Sequence, residues 1–110
     1  TETGVEEAVS WIEREHAQED AVLVIYLPDL HESLAGIVAG RIRERYYRPT
    51  LVLTDAREGV KGSGRSIPEY SMYEKLSQCS DLLTRFGGHP MAAGFSLERE
   101  NISAFRRRLN

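Results

Sequence analysis

The chain has 110 residues, 41% of them apolar and 28% charged, which suits one domain built on one core. Cys79 is its sole cysteine, so an internal disulfide is excluded and a reducing, cytoplasmic setting is expected. No apolar run is long enough for a membrane-spanning helix, Thr1-Glu2-Thr3-Gly4 is unlike a secretory signal, and His16, His31 and His89 lack metal-ligand spacing.

The net charge of −3 hides a strong polarity along the chain. Residues 1–40 hold nine acids against Arg14, a balance of −8; residues 41–65 hold seven bases against Glu44, Asp55 and Glu58, a balance of +4; residues 66–110 balance at +1. A local basic stripe suffices for phosphate contact even on an acidic chain, and an acidic opposite end confines a strand to one face. Taken alone, the Arg-rich run fits an ordinary solvated helix face equally well.

In chain order, Val5, Ala8, Val9 and Ile12 recur at helical spacing and predict an amphipathic helix over Val5–His16. Ala21–Leu27 is a short apolar run rich in β-branched residues and closed by Pro28-Asp29, the pattern of a buried central strand. Ser33 is placed to cap a second helix carrying Leu34, Ile37, Val38, Arg41, Ile42 and Arg45 at helical spacing. Gly36 and Gly40 on that helix each cost about 1 kcal/mol relative to alanine, so close approach of a strand or ligand is expected there.

Pro49 ends the helix, Thr50–Thr54 predicts a second strand, and Asp55–Ser66 reads as a polar glycine-rich connection. A helix near Ser71 to Leu83, with Leu76, Cys79 and Leu83 as its apolar side, is followed by a glycine-rich loop, a strand over Met91–Leu97 and a helix near Arg99 to Leu109. Strands separated by helices argue an α/β fold: a small mixed β-sheet with flanking helices, in a single domain. Residues 1–20 are read as an N-terminal helix belonging to the connection from a preceding domain, and residues 21–110 as the domain proper.

Two segments carry the chemistry. Arg85-Phe86-Gly87-Gly88-His89-Pro90-Met91-Ala92-Ala93-Gly94 puts paired glycines, a histidine and a third glycine within ten residues, so the backbone bends tightly and lets an anion near its amides and imidazole. That chemistry suits phosphate rather than redox or acyl transfer. In Lys61-Gly62-Ser63-Gly64-Arg65, two glycines expose amides beside an ammonium, a hydroxyl and a guanidinium, which match phosphate oxygens; a plain turn has the same composition.

Gly87-Gly88-His89-Pro90-Met91-Ala92-Ala93-Gly94 resembles the glycine-glycine-histidine signature of the DHH-associated domain of DHH phosphoesterases. Ile37-Val38-Ala39-Gly40-Arg41-Ile42, Arg48-Pro49, Lys61-Gly62-Ser63-Gly64-Arg65-Ser66-Ile67 and Cys79-Ser80-Asp81-Leu82-Leu83 resemble, in the same order, the RecJ branch of single-strand-specific 5′ exonucleases. The likeness covers roughly Ala21 to Leu109. It implies a substrate-gripping domain for single-stranded DNA, partnered by a DHH catalytic domain of the same polypeptide whose Asp and His clusters bind two metals. It implies no catalytic residue, metal site or cofactor in this chain, and Mn²⁺ or Mg²⁺ for the parent enzyme. The chain alone is expected to be catalytically silent.

By the same resemblance, Gly62, Ser63 and Arg65 hold a terminal phosphate. Arg41, Lys61, Gly87, Gly88 and His89 complete the candidate phosphate-binding set. For Arg41 the alternative is an ion pair with one of the chain's acids; for His89 it is a bond to the backbone of its own turn. His31 sits where the family has a Trp-His pair, here with Leu30 in place of tryptophan, and reads as helix-entry packing. Tyr46, Tyr47, Tyr70 and Tyr73 are candidates for base stacking or for core packing. Two other readings stay open: a domain binding oligoribonucleotides or cyclic dinucleotides, and a protein-interaction module using the acidic residues 1–20.

Overall fold

A computed structural model describes residues 2–110, leaving Thr1 of the expected N-terminal unit outside the described residues. It is an α/β domain with four helices and a five-stranded mixed sheet. In chain order the elements are α1 (Glu2–Arg14), β1 (Leu23–Tyr26), α2 (Ala35–Tyr46), β2 (Thr50–Asp55), β3 (Val60–Arg65), α3 (Met72–Gln78), β4 (Leu83–His89), β5 (Ala92–Leu97) and α4 (Ile102–Leu109). The sheet order is β1-β2-β3-β5-β4; β1 runs parallel to β2 and every other pairing is antiparallel.

Because side chains alternate across a strand, each sheet face collects its own core. On one face, α1 and α2 bury Ala8, Ile12, Val38, Ala39 and Ile42 against Leu23, Ile25 and Val52. On the other, α3 and α4 bury Met72, Leu76, Phe105 and Leu109 against Val24, Leu51, Leu53, Val60, Phe95 and Leu97. The fully apolar run of β1 therefore serves both cores at once.

Four expectations are corrected. Half of the connection predicted over Asp55–Ser66 is β3, whose Val60, Gly62 and Gly64 face the second core while Lys61, Ser63 and Arg65 face away. Apolar alternation is invisible there because glycine stands where a side chain would clash: a methyl on Gly62 would lie 2.3 Å from the Phe95 ring. The helix predicted to Leu83 stops at Gln78, and after a turn of 3₁₀ helix over Ser80–Leu82 the chain enters β4, predicted as helix end and loop. This edge strand shows no alternation because its other side meets solvent.

The third correction concerns helix entry. Ser33 lies inside a 3₁₀ turn, Glu32–Leu34, and His31 caps it, its Nδ1 accepting the Ser33 N–H at 3.2 Å. Fourth, the glycine-rich motif is not a loop but the end of β4, a two-residue turn at Pro90-Met91 and the start of β5. Gly88 has φ 143°, and a methyl there would lie 2.5 Å from the Ala92 carbonyl oxygen, so the hairpin needs glycine at this point.

Candidate nucleic-acid interface

Sheet register places the two sequence motifs side by side. Pairing across β2, β3, β5 and β4 generates three rows on one face: Thr54, Lys61, Ser96, Arg85; Val52, Ser63, Gly94, Gly87; and Thr50, Arg65, Ala92, His89. The cationic and hydroxyl side chains of β3 thus share a surface with those of β4, twenty or more residues later in the chain. A small β5 residue lies between them in every row.

A groove of about 510 Å³ opens on this surface, walled by His31, Ser33 and Ala35 at the entry to α2 and floored by Lys61, Gly62, Ser63, Arg85, Gly87, Gly94 and Ser96. It continues past Glu32, Lys61, Arg85 and Ser96 into a second depression of about 750 Å³ that adds Arg57, Glu58 and Thr84. Lys61 Nζ lies 3.3 Å from Glu32 Oε1, both exposed. The side chains of Arg57 and Arg85 have no hydrogen bond or ion pair among the described residues.

Arg65 is half-buried; its guanidinium donates to the Gly64 carbonyl at 2.8 Å and lies over α2, where a methyl on Gly36 would sit 2.5 Å from its terminal nitrogen. The glycine in the first turn of α2 is what lets the arginine cross. His89 is exposed, and its Nδ1 accepts the Met91 N–H at 3.3 Å, so one ring nitrogen holds the hairpin and the other remains for a ligand. Arg65, Gly88 and His89 flank the groove rather than line it.

Two expectations about the site change. Gly62 and Gly64 do not expose loop amides, because β3 is paired to β2 on one side and β5 on the other and its backbone groups serve those ladders. Backbone open to a ligand lies instead on β4, which has a partner on one side alone. Arg41 stands apart: it is exposed on α2, lines neither depression, and the alternative ion pair is not formed among the described residues. On the same helix Arg43 is the residue turned toward β3, donating to the Ser66 carbonyl at 3.3 Å.

Sequence reasoning missed Arg85, Ser96 and Thr54 as groove residues. The signal for Arg85 was present, since it is two residues from Gly87 and therefore on the same strand face, but it is usable only once β4 is known to be a strand. His31 does serve helix entry as expected, and it also walls the groove. Of the tyrosines, Tyr46 and Tyr70 pack against the cores, while Tyr47 and Tyr73 are exposed at 58% and 45%. Burial pushes the Tyr70 hydroxyl up to about 12 and raises the Cys79 thiol.

Shifted carboxylates lie outside the groove. Asp55 is held below the ordinary aspartate range by the hydrogen bond from Tyr26 and then by Arg99, and Asp81 by its bond from Arg108. Among the described residues, no group of three or more His, Cys, Asp or Glu is placed to hold a metal ion. No described helix is long and apolar enough to cross a membrane.

The family model of the DHHA1 domain matches residues 19–110. The single-stranded-DNA-specific exonuclease RecJ of Bacillus subtilis (strain 168) is 41% identical over 107 residues, covering 96% of this chain and 14% of the relative. A crystal structure of exonuclease RecJ bound to manganese superposes with TM-score 0.83 at 33% identity, covering 98% of this chain and 27% of that one. RecJ from Thermus thermophilus in complex with Mg²⁺ gives TM-score 0.78 at 33% identity, over 98% of this chain and 17% of that one. The chain thus spans well under a third of the relatives it matches. A domain-length family match, these identities and a shared fold agree: the chain belongs to the DHHA1 domain family, in the form carried by RecJ exonucleases.

Proposed function

We propose that this chain is the strand-holding domain of a RecJ-like exonuclease that hydrolyses single-stranded DNA from its 5′ end. In this reading it grips the sugar-phosphate backbone while the hydrolytic centre, with its Mn²⁺ or Mg²⁺, belongs to a DHH domain of the same polypeptide. Among the described residues no cluster is fitted to the metals, and in this reading the domain's part is binding and orientation. Holding the strand in register removes translational and rotational freedom before the chemical step, an effect worth several kcal/mol of barrier when geometry is right.

The observation that carries the reading is the juxtaposition of Lys61, Ser63 and Arg65 with Arg85, Gly87 and His89 across three rows of one open sheet face. Lysine and arginine meet phosphate oxygens by charge-assisted hydrogen bonds, and Ser63 and Ser96 add hydroxyl donors. Gly94 and Gly87, lacking side chains, let a backbone lie close to the sheet. At about 3.3 Å per residue and 4.8 Å between strands, the three rows form a patch of roughly 13 by 10 Å.

The test is a titration with 5′-phosphorylated single-stranded DNA, a dinucleotide and duplex DNA. Tightest binding is expected for the single strand, similar for different base sequences because the contacts are to phosphate. Arg65→Ala should weaken it by about 1.5–3 kcal/mol, whereas Arg107→Ala, which removes an exposed charge far from the groove, should change little. Preference for the dinucleotide points to a small-substrate phosphodiesterase parent. Equal losses in both variants would refute the specific site.

A further inference from the structure

We infer a second phosphate subsite on the row formed by Lys61, Ser96 and Arg85, one that fills only when the strand displaces Glu32 from Lys61. It rests on the reading of the groove as a nucleic-acid backbone site and adds Arg85, Ser96 and Thr54 to the candidate phosphate-binding set.

Arg85 pairs with Ser96 and Ser96 with Lys61, so the two cations project from the same face, one strand apart on either side of a hydroxyl. Both line the groove and its continuation. Lys61 and Arg65 are four residues apart on β3, roughly 13 Å, a span that adjacent phosphates of one strand do not reach. The two ends of β3 therefore address different phosphates.

The partners of these groups differ in a telling way. Arg85 is exposed and has none among the described residues, so its guanidinium is uncommitted. Lys61 has one, Glu32, in an ion pair whose side chains are 54% and 47% exposed; such solvated pairs are weak and yield readily to a phosphate. Thr54, in the same row and on the groove wall, is fully buried with a hydroxyl that has no hydrogen-bond partner. Leaving a buried hydroxyl unpaired is unfavourable, and a side-chain shift that opens it toward this end of the groove would let a phosphate oxygen accept its hydrogen bond. Beyond Arg85, the depression lined by Arg57 and Thr84 gives the strand a continuing path.

The experiment measures affinities of the full chain and of Arg85→Ala, Glu32→Gln and Arg65→Ala for 5′-phosphorylated oligothymidylates, from the dinucleotide upward in length. Arg85→Ala should weaken the dinucleotide much less than longer strands, which should lose about tenfold, and should reduce the salt slope of the longer strands by about 0.7. Glu32→Gln should tighten the longer strands by about two- to fivefold. Arg65→Ala should weaken every length. If Arg65→Ala weakens binding while Arg85→Ala and Glu32→Gln leave every length unchanged, the second subsite is wrong and the groove reading stands. An equal loss on the dinucleotide and longer strands with Arg85→Ala would likewise overturn it. Failure of the unaltered chain to bind any strand removes the groove reading itself. All three side chains project at least partly into solvent, so folding of the variants is expected to be preserved.

Discussion

Across one face of the sheet, β1 and β2 present Leu23, Ile25 and Val52, all fully buried beneath α1 and α2. On the same face β3, β5 and β4 present Lys61, Ser63 and Arg65, then Ala92, Gly94 and Ser96, then Arg85, Gly87 and His89. α2 reaches β3 and packs no further. Strand pairing is continuous through both halves, so the ladder does not distinguish them. Side chains do: branched aliphatics require a helix to cover them, whereas small and charged residues leave a sheet open at little cost. One half is covered by helices and the other is left open, the half proposed above to hold a strand.

The strongest way to break that comparison is to alter both halves with matched deletions. Ile42→Ala, beneath the covered half, removes a fully buried side chain and should cost about 2–5 kcal/mol of stability by denaturant unfolding. Ser63→Ala on the open half should change stability by less than about 0.5 kcal/mol while weakening strand binding. If Ser63→Ala destabilises as much as Ile42→Ala, the open half is part of the core and the division fails.

Gly36→Ala sharpens the boundary between the halves. Alanine favours the helix by up to about 1 kcal/mol, yet its methyl would lie 2.5 Å from the terminal nitrogen of Arg65, whose flexible end must move. Stability is expected to hold or rise while strand affinity falls part of the way toward that of Arg65→Ala. Thermal unfolding and a binding titration on one preparation read both. A variant that loses both together would place Arg65 among the structural residues.

The smallest effect concerns acid. Asp55, at the end of β2 away from the groove floor, is bonded by Tyr26 and by Arg99, the latter at 3.1 Å, and its carboxyl is held below the ordinary value of 3.8 by those two groups in that order. A depressed folded value means that the contribution is present above 3.8 and is lost as pH falls through the lower folded value. Asp55→Asn should therefore soften the acid limb of the stability profile and leave strand binding at neutral pH unchanged. A loss of binding at neutral pH would tie this ion pair to the open half.

Much of the domain was legible without coordinates. Val5, Ala8, Val9 and Ile12 declare α1, and the β-branched run ending at Tyr26-Leu27 declares β1, because burial on one helix face or on both strand faces leaves a periodic apolar trace in the chain itself. The phosphate-binding character proposed for Lys61-Gly62-Ser63-Gly64-Arg65 and for Gly87-Gly88-His89 is likewise a local matter of which donors stand together, and the family signature is carried by those same residues.

Tertiary structure decided the rest. β3 and β4 are strands because partners on other strands claim their backbones, although glycine and charge had erased the alternation that would announce them. Register alone sets Lys61 in line with Ser96 and Arg85, and Arg65 in line with His89, pairings that depend on sequence separations of more than twenty residues. It also turns Arg41 away and Arg43 inward, since the face a helical residue shows depends on what the helix packs against. Composition told which groups have the chemistry to meet a phosphate; strand pairing determined which of them stand together, because side chains converge only where the ladder aligns them.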